Sequence, residues 1–397
     1  MGNHNTTDTV ILSATRTPVG AFMGGLKDLP APKLGAAVVK EAVQRAGIQP
    51  GEIDEVLMGC VLTAGIGQAP ARQASRFAGL PDSVRCTTIN RVCGSGLRAV
   101  MWGSQILQTG DANFVVAGGM ESMSRVPYLL DRAREGYRLG HGKVVDAIIS
   151  DGLWDVYNDY HMGDAAELCA RERHLDRKEQ DRYATQSYQR AIESIQGGKF
   201  KNEITAVEWD TPREKKRVDQ DEEPFRAKLE KFGDLKPAFQ KEGTVTAANA
   251  SSLSDGAAAL VLTTGQIATD RTLKPIARII GQANHAQAPE WFTTAPVGAV
   301  QKLLKRTGIS LDAIDLFEIN EAFSVVALAC LKELKIDESK INIRGGAVAI
   351  GHPIGASGAR ILTTLVHALR MEKKRYGIAA ICIGGGEASA VLVEALG

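Results

Sequence analysis

The chain has 397 residues, 44% of them hydrophobic and 23% charged, which is material for large cores in two or three domains. Lys plus Arg number 47 against 46 Asp plus Glu, a net charge of +1 that excludes the broad basic field of a nucleic-acid binder, so any anionic ligand must be caught locally. Six cysteines (Cys60, Cys86, Cys93, Cys169, Cys330, Cys382) without a CxxC pair argue against a disulfide framework or zinc site and for a reducing compartment, no run suits a membrane span, and the expectation is a cytoplasmic protein.

The polar start, MGNHNTTDTV, lacks the profile of a secretory signal or a transit peptide, and EALG at the other end carries no retention signal. Gly2 with Thr6 fits a myristoylation pattern and Asn249-Ala250-Ser251 a glycosylation sequon, both short enough to arise by chance. Thr9 to Ala14 is a β-branched run that reads as a strand, followed by a Gly-rich loop through Gly25. Apolar residues at helical spacing predict a helix over Leu34 to Ala46, capped by Gly47, and then a strand over Ile53 to Met58.

The stretch Ile89 to Val100, INRVCGSGLRAV, sets one thiol, Cys93, before a Gly-Ser-Gly turn and a helix start. A helix N-terminus aimed at the sulfur favours thiolate, the reactive form, although taken alone the stretch suits a buried structural cysteine better than a nucleophile. Continuous apolar runs at Phe114–Ala117, Ala257–Leu262 and Ala379–Ile383 suit sheet buried on both faces.

Parts of the chain recur. KEAVQRAGIQPGEIDEVLMG (40–59) aligns without a gap on QKLLKRTGISLDAIDLFEIN (301–320), an offset of 261. Ser95-Gly96-Leu97-Arg98 matches Ser357-Gly358-Ala359-Arg360 at 262, and FVVAGGMES (114–122) resembles AICIGGGEA (380–388) at 266. Three matches in one order indicate two copies of one α/β unit. Between them, about 123–252 differs in character, with Trp154, Tyr157 and Tyr160 clustered, a polar helix over Arg177–Ile195 and a mixed-charge run, Arg213–Lys231, expected to be solvated. The expected architecture is an α/β layered sandwich of two duplicated halves with an inserted domain: 1–122, completed by about 253–273, then 123–252, then 274–397.

Three further segments carry chemistry. Asn320-Glu321-Ala322-Phe323 follows the strand Leu316–Ile319, where α/β sheets open onto ligand crevices. His352 stands in the rigid turn GHPIGASG (351–358), and Cys382 ends a strand before Gly384-Gly385-Gly386. If the halves superpose, a nucleophile, a base and a second thiol converge, the parts of covalent acyl transfer.

NRVCGSG, NEAF, GHPIGASG and CIGGG resemble the four signature segments of the thiolases, and GTVTAANASSLSDGAAA (243–259) resembles their coenzyme A loop; the similarity spans essentially the whole chain. It is nearest the biosynthetic short-chain type, with His161 before Met162-Gly163 in the manner of those members. The resemblance implies a layered αβαβα sandwich and acetyl-CoA C-acetyltransferase activity: reversible condensation of two acetyl-CoA to acetoacetyl-CoA and CoA. It implies Cys93 as nucleophile, His352 as its base, Cys382 as acid/base, Asn320 holding an oxyanion-site water, and the N–H groups of Cys93 and Gly384 as the other oxyanion site. It places coenzyme A against Leu153, His161, Met162, Arg226, Phe239, Ala247, Ser251, Ala322 and Phe323. It calls for no cofactor, coenzyme A being a substrate; a potassium ion in some relatives lies near positions matching Tyr188, Ala247, Ala248, Ala250 and Val348. It implies a homotetramer with contacts in the 124–145 loop. Trp291 and Phe292 stand where many short-chain members have Met, which bears on acyl-pocket shape. A degradative 3-ketoacyl-CoA thiolase is the nearest alternative; β-ketoacyl synthases lack the second catalytic cysteine, and a non-enzymatic scaffold would not need every chemical group present.

Overall fold

A computed structural model describes residues 8–396, so the Gly2/Thr6 pattern lies outside the described residues. Nine strands make the body of one sheet: β1 (Thr9–Arg16), β2 (Glu55–Gly59), β3 (Arg85–Ile89), β4 (Val115–Ser122), β5 (Ser254–Thr264), β6 (Ala277–Ala286), β7 (Leu316–Ile319), β8 (Tyr376–Ile383) and β9 (Glu387–Ala395). Their order is β7-β8-β9-β6-β1-β5-β4-β2-β3, and the two-residue strand Gly20–Ala21 pairs with β5. The principal helices are α1 (Ala31–Ala46), α2 (Pro70–Phe77), α3 (Ser95–Thr109), α4 (Met162–Glu172), α5 (Arg177–Gln196), α6 (Ala295–Thr307), α7 (Ser324–Leu334) and α8 (Ile354–Met371).

Why the apolar runs are continuous is visible in β5. Ala258, Leu260 and Leu262 enter one core, shared with α3 and α8, while Ala257, Ala259 and Val261 enter another, shared with α1. Strand side chains alternate faces, so a strand covered on both sides cannot spare polar positions. The sheet is continuous but narrow at its middle, where β1 meets β6 through only Val10↔Arg278 and Ile11↔Ala277. On one side of that waist α1 and α2 cover the outer face; on the other α6 does so, with α7 packed against it. Helices α3 and α8 pack on strands of both halves and form the middle layer of an α/β/α/β/α stack.

The crossing of α3 and α8 depends on absent side chains. A Cβ on Gly96 would stand 2.9 Å from the Ala359 nitrogen, closer than real Cβ contacts come, and 3.0 Å from the Gly355 oxygen, at the tight limit. The two backbones therefore touch, and the turns just before each helix, carrying Cys93 and His352, come together.

The duplication holds in the ladders, with one correction. Glu55↔Val115 in β2/β4 corresponds to Leu316↔Gly377 in β7/β8, offsets of 261 and 262. The match of 114–122 to 380–388 at 266 is thus four residues out of register; shared glycines drew that alignment, whereas hydrogen bonding sets the real one. Gly47 ends α1 in the left-handed conformation at φ 70°, as expected.

Between β4 and β5 lie α4, α5 and a hairpin, Val207–Asp210 with Lys215–Val218. Arg16, at the end of β1, ties this region down: its Nε donates to Glu203 at 2.6 Å and its terminal nitrogens to Asp221 at 2.6 and 2.9 Å, all three side chains fully buried. Asp221 belongs to the charged run expected to be solvated. The expectation suits Lys215 and Arg217, which pair with Glu208 at the surface, but Asp221 is drawn inward by an arginine far away in sequence. No helix among the described residues is long and apolar enough to cross a membrane.

Candidate active site

Where the two turns meet, a cavity of about 340 Å³ opens. Of the residues named from sequence, Cys93, Leu153, His161, Met162, Phe239, Ser251, Ala322, Phe323, His352 and Gly384 line it. Asn320 and Cys382 are fully buried just beneath, whereas Arg226 and Ala247 lie exposed outside it. Ile148, Ile149, Ile354 and Phe292 complete the apolar wall. The isoleucines carry no sequence signal beyond hydrophobicity.

Val92, just before Cys93, has φ 44°, a strained conformation for a β-branched residue and of the kind held at functional sites. The thiol receives the N–H groups of Gly384 and of Cys93 itself, yet burial outweighs them and pushes its pKa up to about 11. Burial thus outweighs the pull of the helix N-terminus toward thiolate, and the resting group is a thiol that needs a base, as the expected role of His352 requires. Cys382 is raised further, by burial first and then by the neighbouring Cys93 and Cys330 sulfurs.

His352 has the geometry of a base. With Ser357 Oγ giving its one proton to the Pro353 carbonyl at 2.9 Å, its oxygen, 2.6 Å from His352 Nδ1, accepts from the ring. Nδ1 therefore carries the hydrogen and Nε2 presents a lone pair, toward which Asn320 Nδ2 points at 3.5 Å. Burial, with the Arg360 charge behind it, draws the His352 pKa down to about 3 and keeps the ring neutral. Ser357, part of the GHPIGASG segment, had no role assigned from sequence; its repeat partner Ser95 likewise bonds a carbonyl of its own turn, donating to Val92 O at 2.6 Å.

On the far wall His161 stacks on Phe239 with centroids 4.8 Å apart, and its Nδ1 accepts from Gly163 N at 3.0 Å, leaving Nε2–H as a donor. Gly384 needs no glycine for protein packing, since a Cβ there would meet only ordinary 3.6 Å contacts. Leaving that Cβ out leaves room for a ligand beside the amide. Beside Asn320, Glu321 accepts from Tyr183, Ser187, Asn342 and the Val348 amide and anchors the NEAF turn.

For potassium, a hard cation wanting oxygen ligands, the fit is partial. Tyr188, Ala248 and Val348 share one buried cluster, Ala250 bridges to Phe323, and Ala247 is exposed. Oxygen would come from the Tyr188 hydroxyl and main-chain carbonyls, since no group of three His, Cys, Asp or Glu that could hold a metal occurs among the described residues.

The thiolase N-terminal domain family matches residues 9–266 and the thiolase C-terminal domain family 273–395. The chain belongs to the thiolase family. Acetyl-CoA acetyltransferase 1 of Arabidopsis thaliana is 51% identical over 390 residues, covering 98% of this chain and 94% of that protein. The mitochondrial acetyl-CoA acetyltransferase of Rattus norvegicus is likewise 51% identical, covering 98% and 91%. Among solved structures, the Bacillus anthracis acetyl-CoA acetyltransferase superposes with a TM-score of 0.97 at 40% identity, covering 99% of this chain and all of that one. A thiolase from Ascaris suum in complex with coenzyme A gives 0.93 at 45%, covering 98% and 100%.

Proposed function

We propose that this thiolase is an acetyl-CoA C-acetyltransferase, carried above all by the convergence of the Cys93 thiol and the lone pair of His352 Nε2 on one apolar cavity, with the Cys382 thiol buried beneath it beside Cys93. Relatives at about half identity over nearly the full length bear the same name.

The steps follow from the protonation states. His352 Nε2 takes the Cys93 proton as the sulfur adds to the acetyl thioester, and the N–H groups of Cys93 and Gly384 receive the developing oxyanion. The carbon–sulfur bond to coenzyme A breaks, and Cys382 gives its proton to the departing thiolate. Cys382, now a thiolate, removes a methyl proton from a second acetyl-CoA. Protonated His352 and a water held by Asn320 stabilise the enolate. The enolate attacks acetyl-Cys93, the Cys93 sulfur leaves and regains its proton from His352, and every group returns to its starting state with acetoacetyl-CoA formed. Coenzyme A would run outward past Leu153, His161, Met162, Phe239 and Ser251 toward Ala247 and Arg226. If potassium binds near Tyr188, it supplies charge that steadies the coenzyme A loop; no chemical step needs it.

Phe239, Phe292 and Phe323 close on one another around the cavity, with centroids 6.2 and 6.4 Å apart, and favour a short acyl group. The purified protein is expected to thiolyse acetoacetyl-CoA with free coenzyme A faster than any longer 3-ketoacyl-CoA; a preference for longer chains would make it a degradative thiolase. Tyr128, Leu130, Leu139 and Val144 stand exposed in one loop, the apolar surface a tetramer contact would use, and a solution mass other than four chains would refute that assembly. All six cysteines are free, consistent with a reducing compartment, and cell fractionation tests our placement in the cytoplasm.

A further inference from the structure

Equivalent strand ends in the two halves face equivalent turns, yet the halves fill them differently. At the end of β8, Ile383 lies against Gly94, in the turn that carries Cys93. By the register offset of 262, the counterpart of Ile383 in β4 is Glu121, which meets Gly355, in the turn that carries His352. An apolar side chain satisfies such a corner, so a carboxylate there serves something other than packing.

Glu121 is fully buried and forms no ion pair among the described residues. Its Oε2 accepts from the N–H of Val61 at 3.0 Å and of Gly355 at 2.9 Å; its Oε1 accepts from the N–H of Leu62 at 3.2 Å and lies 3.7 Å from the Cys60 thiol. Every neighbour is a donor. A protonated carboxyl would need an acceptor for its own hydrogen, and three backbone amides offer none. The geometry is that of the ionised form.

We propose that Glu121 is a positioning residue for acetyl transfer: as a carboxylate it clamps the His352 turn to the cavity wall at Val61–Leu62, and on protonation it releases that turn. The proposal rests on the acetyltransferase reading. Gly355 lies three residues after His352 in the first turn of α8, and Leu62 packs with Ile354 and Leu153, which line the cavity. Losing one acceptor leaves a buried amide unpaired, a strain the turn relieves by moving. A shift of about 1 Å between base and nucleophile costs on the order of 100-fold in rate.

The clamp is poised to respond to pH. Burial raises Glu121 to about 7 against the pull of its three amides. The titratable groups that face it are the thiols of Cys60, from the segment after β2, and Cys93, from the turn before α3; the α8 turn contributes only backbone. Cys60 is held well above its ordinary value, Cys93 stands at about 11 and His352 at about 3, so none of these titrates near neutrality.

The test is single-turnover acetylation of Cys93 by acetyl-CoA across roughly pH 5.5 to 8.5, in the wild type and in Glu121→Gln, followed by mass spectrometry with circular dichroism as the folding check. The wild-type rate is expected to fall as pH drops through about 7 with the fold intact. Glu121→Gln is expected to be slower on the order of 100-fold at the alkaline end and to lose the limb, with KM for acetyl-CoA changed less than about threefold. A flat wild-type profile, or a Gln variant that keeps both rate and limb, overturns the clamp. Should the Gln variant not fold, the wild-type profile alone decides. Acetylation with a flat profile refutes the clamp only; no acetylation at any pH refutes the acetyltransferase reading as well.

Discussion

Cys382 is the residue that separates a thiolase from a simpler acyl carrier. It lies beneath the cavity with Cys93 as a neighbour, so its thiolate is costly and forms only when a proton has somewhere useful to go. Cys382→Ser keeps Cys93, its oxyanion donors and His352, but a hydroxyl is a far weaker acid. The variant is expected still to acetylate Cys93, more slowly because the departing coenzyme A loses its proton donor, while condensation falls by about 10²–10⁴-fold, read by acetoacetyl-CoA absorbance; unchanged condensation would remove Cys382 from the mechanism. Cys382, His352 and Asn320 were legible in sequence because each sits in a short motif. Glu121 and Ser357 were not. Glu121 gathers amides from Val61, Leu62 and Gly355, distant in sequence, so it leaves no local pattern; Ser357 stands in the same GHPIGASG motif as His352, but that it acts on the ring is visible only in the folded turn. The balance at Cys93 was only half legible: a helix N-terminus is visible in sequence, and the burial that outweighs it is not.

Among the elements, α3 and α8 carry most of the design, because each begins immediately after a catalytic turn. Gly96→Ala would press a methyl group onto the Ala359 nitrogen and the Gly355 oxygen, both backbone atoms that cannot swing aside. The substitution is expected to cost about 1–3 kcal/mol in urea unfolding and to slow acetylation by displacing both turns together. Gly51→Ala, whose Cβ would meet open space, serves as the control and is expected to stay within about 0.5 kcal/mol. An equal effect of the two would mean that the crossing is not tight. Several strands and helices were plain from the apolar pattern, and Leu316–Ile319 was placed to the residue, but β3, β6, β9 and α2 were not anticipated. Ends elsewhere shifted by one to five residues, as for β8, which begins at Tyr376 rather than Ala379, and β4, which runs on to Ser122 rather than stopping at Ala117. Packing on a neighbouring strand, not propensity, decides where a strand stops.

At the scale of the whole molecule, duplication explains both the fold and the site. Two α/β halves joined at the narrow β1/β6 contact place their equivalent turns face to face, and each half then contributes different chemistry: Cys93 from one, His352 and Cys382 from the other. The sequence repeat pointed to that arrangement; its one out-of-register match came from glycines common to two unlike turns. The inserted region supplies His161, Met162 and Phe239 to the cavity and is pinned to the core by the buried Arg16–Glu203–Asp221 cluster, long-range pairing that no sequence window contains. The most direct test of this account is intact-protein and peptide mass spectrometry after mixing with acetyl-CoA alone. One acetyl group per chain, confined to Cys93 and discharged by added coenzyme A, is the expected result; an unmodified Cys93, or acetylation that survives Cys93→Ala, would contradict it.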